Sequence, residues 1–361
     1  MHIRTVTAEY DSWLASRVAV HQPDLDFKHK RMAEADDPFP FFRGTYYRWV
    51  SRWPEVCPHL VEAPRVLAVG DLHVENFGTW RDADARLCWG VNDFDEADDL
   101  PYTSDLVRLA ASVRLAKTAE HLDVKTGAAC AAILTGYRES LEVGGAAFVL
   151  EECHPQLRTV ATASERDPAV FWKKLTKLLA HDAHAPPGPA KTALLRELPA
   201  RKLAVEFRFR PKVGLGSLGR PRFVALAQWM GGWVAREAKA VVPCASQWAL
   251  GNPDAESRAA ELVGQAVRSP DPFYKPGPTW ILRRLAPRCV RIELESLTNA
   301  DDLERVLRAM GAETANVHAA SRSAREAVVR DLANRPKDWL EDAARAMAKA
   351  TIADWHAGRG G

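Results

Sequence analysis

Long apolar runs are missing from this chain. None approaches the ~20 residues that a membrane-crossing helix needs, and the N-terminal MHIRTVTAEYDSW has no apolar core of the signal-peptide kind. Paired cysteines are missing too: Cys57, Cys88, Cys130, Cys153, Cys244 and Cys289 include no CxxC spacing, which argues against a zinc site or a disulfide framework and fits reduced thiols. An excess of one charge is absent. The formal net charge is +2, so no broad basic field points to nucleic acid. Internal repeats are absent as well. These absences predict a cytoplasmic, bacterial-type protein with no membrane and no nucleic-acid partner.

What is present is an ordinary globular composition, 47% hydrophobic and 27% charged over 361 residues, enough for one large or two modest cores. Twelve tryptophans suggest well-packed lobes. The pattern falls into three parts. Arg65–Val69 and Leu87–Val91 read as short buried strands that run into loops. A helix capped by Asp105 follows, with Leu106, Leu109, Val113 and Ala116 on one face, and helical sequence continues to about Val149 and on to Leu179. His181–Pro189 is loop chemistry and a boundary. The chain then turns to β: Phe223–Trp229, Trp233–Ala238, Trp280–Leu285 and Val290–Leu294 read as strands, with Gly231-Gly232 as a hairpin turn and Glu256–Val267 as a helix. From Asp301 it is helical again, and Leu340, Ala344, Met347, Thr351 and Trp355 form one stripe.

Chemistry concentrates in Gly70-Asp-Leu-His-Val-Glu-Asn76 and Asn92-Asp-Phe-Asp95. Two adjacent strands would bring Asp71, Asn76 and Asp93 to one mouth. Phosphoryl transfer needs such a set: a carboxylate to orient or deprotonate the attacking hydroxyl, and oxygen ligands for Mg²⁺. Asp71 and His73 are the candidate catalytic residues, and Asn76, Asp93 and Asp95 the candidate metal ligands. Glu96, Asp98 and Asp99 read as the solvated continuation of an acidic loop.

The first 69 residues contain no glycine-rich loop. One lies downstream instead, as Gly214-Leu-Gly216-Ser217-Leu-Gly219. Such a pattern suits dinucleotide folds as well as kinases, and the flanks decide: Pro221–Trp229 after it is strand-like rather than helical, as in a loop that covers phosphates. Lys239, 20 residues past Gly219, is the candidate nucleotide lysine, with Arg236 as an alternative phosphate contact. Glu261 is the favoured glutamate to pair with Lys239, ahead of Glu256. The expected cofactors are therefore ATP and Mg²⁺.

GDLHVEN resembles the catalytic loop of aminoglycoside phosphotransferases and related small-molecule kinases, H-G-D-x-H-x-x-N, with Val69 where that family has His. NDFDEA resembles their metal-binding segment. The resemblance implies that Asp71 is the base and that Asn76 and Asp93 are Mg²⁺ ligands, with a weaker role for Asp95. The chain as a whole resembles the DUF2252 family of uncharacterised bacterial proteins, grouped with protein-kinase-like folds, through PFPFFRG, GDLHVENFGTW, NDFDEADDLPYTSDLVRLAAS, VGLGSLGRPRFVAL, REAKAVVP and WILRRLAPRCVRIEL. That family name brings no settled substrate.

The expected fold is α+β: a protein-kinase-like two-lobe arrangement in circularly permuted order. Residues 1–64 would be an N-terminal extension on the helical lobe, and 65–200 would carry the catalytic and metal loops. Residues 201–296 would form the β-rich nucleotide lobe, and 297–361 the helices that complete the helical lobe. The expected partners are a nucleotide and a small-molecule or protein acceptor. A non-catalytic nucleotide-binding module and nucleotidyl transfer to protein stand as alternatives. A metallophosphoesterase needs more ligands than His121, His154, His181, His184 and His318 provide in their settings. In PFPFFRG, Arg43 is a candidate anion contact.

Overall fold

A computed structural model describes residues 1–120, 125–163, 166–177, 185–289 and 300–359. The expected strand Val290–Leu294, together with His121, His181 and His184, lies outside the described residues. The architecture is mixed α and β. Nine strands are described: β1 Arg65–Ala68, β2 Phe77–Arg81, β3 Leu87–Val91, β4 Asp98–Pro101, β5 Val205–Phe209, β6 Arg222–Trp229, β7 Gly232–Ala240, β8 Lys275–Pro276 and β9 Trp280–Leu285. β1 pairs with β4 and β2 with β3, as separate antiparallel ribbons. The other five form one antiparallel sheet in the order β5-β6-β7-β9-β8.

The N-terminal stretch is more than an extension. It folds into helices including Ile3–Arg17, Gln22–Glu34, Phe39–Gly44 and Tyr46–Val56, and its Phe42, Tyr46, Trp49 and Trp53 belong to the main core. Into the same core, helix Tyr102–Glu120 sends Leu106, Leu109, Val113 and Ala116, the face read from the sequence. That helix starts three residues before the expected cap, so Asp105 sits inside its first turn and does another task, described below. Helix Thr126–Val143 crosses helix Ala300–His318 at glycines on both sides. A Cβ on Gly136 would lie 1.8 Å from the Arg308 carbonyl oxygen, and one on Gly311 2.0 Å from that of Ile133, so neither position admits a larger residue.

The final helix, Trp339–Arg359, buries Leu340, Ala344, Met347, Thr351 and Trp355, the stripe read from the sequence. Its end meets the start of the chain: Arg4 Nη2 donates to the Gly358 carbonyl at 3.2 Å and Arg48 to Asp354 at 2.7 Å.

The large sheet is covered on both faces. Phe223, Ala225 and Ala238 pack with Ala190 and Leu194 of helix Gly188–Arg196, whereas Val224, Leu226 and Ala235 pack with Leu175 of helix Pro168–Thr176. This is the period-2 alternation of a strand. In the β6–β7 hairpin Trp229 pairs with Gly232, so the turn residues are Met230 (φ 48°) and Gly231 (φ 82°), one position earlier than expected. Two left-handed residues match the strand twist of a two-residue hairpin. The helix expected at Glu256–Val267 spans Ala259–Gln265.

Candidate functional site

The chain leaves β1 through Gly70, whose φ is +82° and whose Cβ, if present, would stand 2.2 Å from the Glu96 carbonyl oxygen. Only glycine fits there. Asp105 holds this turn from below. Its fully buried carboxylate accepts from Val69 N at 2.7 Å and Gly70 N at 2.9 Å, and His318 Nε2 lies 3.1 Å away. Val74 N donates to Ser112 Oγ at 3.0 Å. The loop is thus pinned along helix Tyr102–Glu120 before any ligand is considered.

Asp71 emerges from the pinned loop with its side chain 20% exposed, and its Oδ1 accepts from Arg108 Nε at 2.8 Å. Arg108 is fully buried and lies over the rings of Phe42 (4.0 Å), Tyr46 (4.7 Å) and Trp49 (5.1 Å). It also donates to the Phe42 carbonyl at 3.1 Å. The PFPFF block therefore supports the arginine that orients Asp71. His73 is buried, and its Nδ1 accepts from Glu75 N at 3.2 Å. Arg43 forms an ion pair with Glu75.

Asn76 Nδ2 donates to the Asp71 carbonyl at 3.2 Å and to the Asp93 carbonyl at 3.1 Å, bridging the two loops. These bonds fix the amide so that Oδ1 is buried with no hydrogen-bond partner among the described residues; Asp95 Oδ1 is in the same condition. A buried acceptor without a donor is costly unless a cation or water meets it. Asp93 accepts from Lys239 Nζ at 3.2 and 3.3 Å, and Asp95 pairs with the same ammonium. Burial opposes the charge on Asp93, but Lys239, Arg283 and Arg222 outweigh it and hold the carboxyl below its usual range. Burial also pulls Lys239 below the ordinary lysine range, against the pull of Asp93.

The glycine loop lies above. Gly214 has φ +72°, Leu215–Ser217 form one short 3₁₀ turn, and a Cβ on Gly216 would be 3.4 Å from Asp71 Oδ2 and 3.1 Å from the Arg43 carbonyl. The loop is held down by helix Gln22–Glu34 and the residue before it: His21 N donates to the Gly219 carbonyl at 2.9 Å, and Lys28 Nζ lies 3.4 Å from that of Gly216. Between loop and floor is a cavity of about 360 Å³ lined by Asp71, His73, Asn76, Asp93, Asp95, Gly214, Gly216 and Ser217.

Three sequence assignments change. Glu261 is not brought to Lys239: it pairs with Arg258 at 2.6 Å on a half-exposed helix face and does not line the cavity. Gly219 turns toward Leu25 and Val20 rather than the cavity. Arg236 points to the opposite sheet face, donating to the Glu197 carbonyl at 2.9 Å and lying 4.2 Å from the Phe273 ring. The acids after Asp95 are not all solvated either. Glu96 is buried and accepts from Arg220 at 2.7 Å and Ala245 N at 2.6 Å, while buried Asp98 accepts from Ser246 Oγ at 2.6 Å. Asp99, half exposed, pairs with Arg65 at 3.3 Å. His318 is a core histidine, bonded to Tyr137 and Asp105.

One group was missed. Glu237 is fully buried on β7 and accepts from Arg210, from Arg222 at 3.1 Å and from Arg283 at 2.7 Å. Burial alone would raise its carboxyl, but the arginines hold it far below the usual carboxylate range. The available signal was period two: Glu237 and Lys239 are two apart on one strand and must share a face.

Among the described residues no three His, Cys, Asp or Glu side chains gather as a metal-ligand group. The donor set of one amide and two carboxylates fits Mg²⁺, which takes few protein ligands and keeps water. The chain matches no curated protein and no solved structure. The stretch that carries the floor of this cavity, residues 22–186, is similar to the family model DUF2252, described as an uncharacterized protein conserved in bacteria.

Proposed function

We propose that this chain is a nucleotide- and Mg²⁺-dependent phosphotransferase acting on a small-molecule hydroxyl. The observation that carries the reading is the pair of buried oxygens without a hydrogen-bond partner among the described residues, Asn76 Oδ1 and Asp95 Oδ1, beside Asp93 in a cavity roofed by Gly214 and Gly216. Asn76, Asp93 and Asp95 would hold the metal. Bound there, Mg²⁺ would supply charge stabilisation to the transferring phosphoryl group. Asp71 uses Oδ1 to hold its orientation against Arg108, and Oδ2, with no protein partner among the described residues, to orient the acceptor hydroxyl and take its proton. The Gly214–Ser217 backbone covers the phosphates and excludes water.

The permuted kinase-like scaffold belongs to the same proposal. Three features support it: the glycine loop and sheet follow the acidic loops in sequence, helices from both chain ends share one core, and the chain ends lie against each other. Adjacent surface termini are the condition under which permutation is tolerated.

The test is Mg²⁺-dependent consumption of ATP by wild type and Asp71→Ala. Loss of a general base predicts a fall of roughly 10²–10⁴-fold in turnover with nucleotide binding kept. Equal turnover in the two proteins contradicts the role of Asp71, and a wild type with no Mg²⁺-dependent nucleotide binding contradicts the whole reading.

A further inference from the structure

Lys239 is spent on the aspartates of the floor, so a ligand's negative charge must meet other donors. We infer that Arg210, Arg222 and Arg283 form a binding site for a polyphosphate chain, with Glu237 as the residue that positions them. The sheet register assembles the group. Glu237 stands directly opposite Arg283 on β9 and opposite Val224 on β6, and Arg222 stands opposite Lys239. Arg210 follows β5 with its N–H on the Arg222 carbonyl at 3.0 Å. All of these side chains fall on one sheet face, and all three arginines line the cavity.

Charge is unbalanced within the group: three guanidiniums share one carboxylate. Asp93 is nearby but is matched by Lys239. Arg222 shows the strain. Its side chain is 3% exposed and its Nε is buried without a hydrogen-bond partner among the described residues. Burial, with Arg283 and Arg210 repelling it, pulls its pKa down to about 10. An anion in the cavity would relieve that repulsion, and planar guanidiniums suit phosphate oxygens. Arg222 Nη2 also donates to Ser217 Oγ, so the arginine wall and the glycine roof form one unit. A cavity of about 360 Å³ is of small-ligand size. Metal-ligand oxygens on the floor and guanidiniums on the wall suit a phosphate chain lying between them better than a single phosphate.

That a nucleotide carries this chain rests on the proposed function; the anion site itself does not. The experiment is calorimetric titration of inorganic tripolyphosphate and of ATP, without Mg²⁺, into wild type, Arg283→Gln, Arg210→Gln and Glu237→Gln, each checked for cooperative thermal unfolding. Loss of one charge-assisted contact predicts roughly 10- to 100-fold weaker tripolyphosphate binding for each arginine variant. Folded Glu237→Gln should also bind more weakly, although removing a negative charge by Coulomb's law alone would tighten anion binding. That sign separates positioning from bulk electrostatics. If Glu237→Gln does not fold, the two arginine variants decide. Unchanged affinity in both, or a wild type that does not bind tripolyphosphate, overturns the inference. Arginine-dependent binding of tripolyphosphate with no binding of ATP keeps the anion site and overturns the nucleotide reading.

Discussion

The floor and the wall of the cavity are built in opposite ways. The floor is local: Asp71, Asn76, Asp93 and Asp95 sit on two loops tied together by one amide, Asn76 Nδ2. The wall is dispersed: Arg222, Glu237 and Arg283 come from three strands, Arg210 follows a fourth, and they meet only through sheet register and the Arg210 N–H on the Arg222 carbonyl. The floor presents two buried oxygens, Asn76 Oδ1 and Asp95 Oδ1, with no hydrogen-bond partner among the described residues, and the wall has more positive charge than its carboxylate balances. Backbone geometry can present ligand atoms within a short stretch. Gathering like charges takes a buried counter-ion, because guanidiniums without one would repel.

Lys239 joins the two regions, and removing it is the strongest way to test the comparison. Lys239→Met leaves Asp93 and Asp95 short of their buried partner. The expected loss is about 3–5 kcal/mol in urea unfolding without Mg²⁺. Added Mg²⁺ should return part of it, since a cation binding the folded state stabilises it. A variant indifferent to Mg²⁺ would break the assignment of the floor as a cation site.

Next in size is a pH effect beneath the floor. Glu313 is buried under β3, accepting from Val91 N at 3.2 Å and Asn316 Nδ2 at 3.0 Å. Burial pushes its carboxyl up to about 7, against the pull of Arg268. A raised acid pKa favours folding while the group is protonated. Its contribution is therefore full below the unfolded value of 4.5 and is lost as pH rises through about 7. Compared with Glu313→Gln, wild type should lose roughly 3 kcal/mol across that window. A flat difference in paired unfolding curves from pH 4.5 to 7.5 contradicts it.

The smallest effect concerns the residue the sequence favoured. Glu261→Ala should change stability by no more than about 0.5 kcal/mol and leave nucleotide affinity unchanged, because its partner is surface Arg258. A tenfold loss of affinity would restore the lysine–glutamate arrangement and remove the need for Glu237.

The same contrast explains what could be read from the sequence. β3, β9 and the final helix follow apolar runs or a helical stripe, signals carried by adjacent residues, and the structure places them at or near the expected bounds. Asp71, Asn76, Asp93 and Asp95 share one cavity because a short loop motif fixes its own geometry. Glu237 is not legible as a site residue, since an acid in a β-rich stretch carries no mark of its burial. Its importance appears only when β6 and β9 are laid beside β7 in register. Asp105 misled for a related reason. An aspartate near a helix start resembles a cap, but tertiary packing turned this one inward to the Val69 and Gly70 amides. An acidic run suggests solvent for Glu96 and Asp98, whereas Arg220, Ser246 and Gln247 from distant sequence cover them.

The central claim is that a cation floor and an anion wall act on one ligand, and coupled titration tests it most directly. ATP affinity should be measured by calorimetry with and without Mg²⁺ for wild type, Asn76→Ala and Arg283→Gln. Mg²⁺ should tighten ATP binding at least about tenfold in wild type, as for a typical coupling of 1–3 kcal/mol. Asn76→Ala should lose that coupling while keeping the Mg²⁺-free affinity, and Arg283→Gln should weaken binding under both conditions. ATP binding in wild type that is indifferent to Mg²⁺, or arginine and asparagine variants with the same profile, would contradict the account.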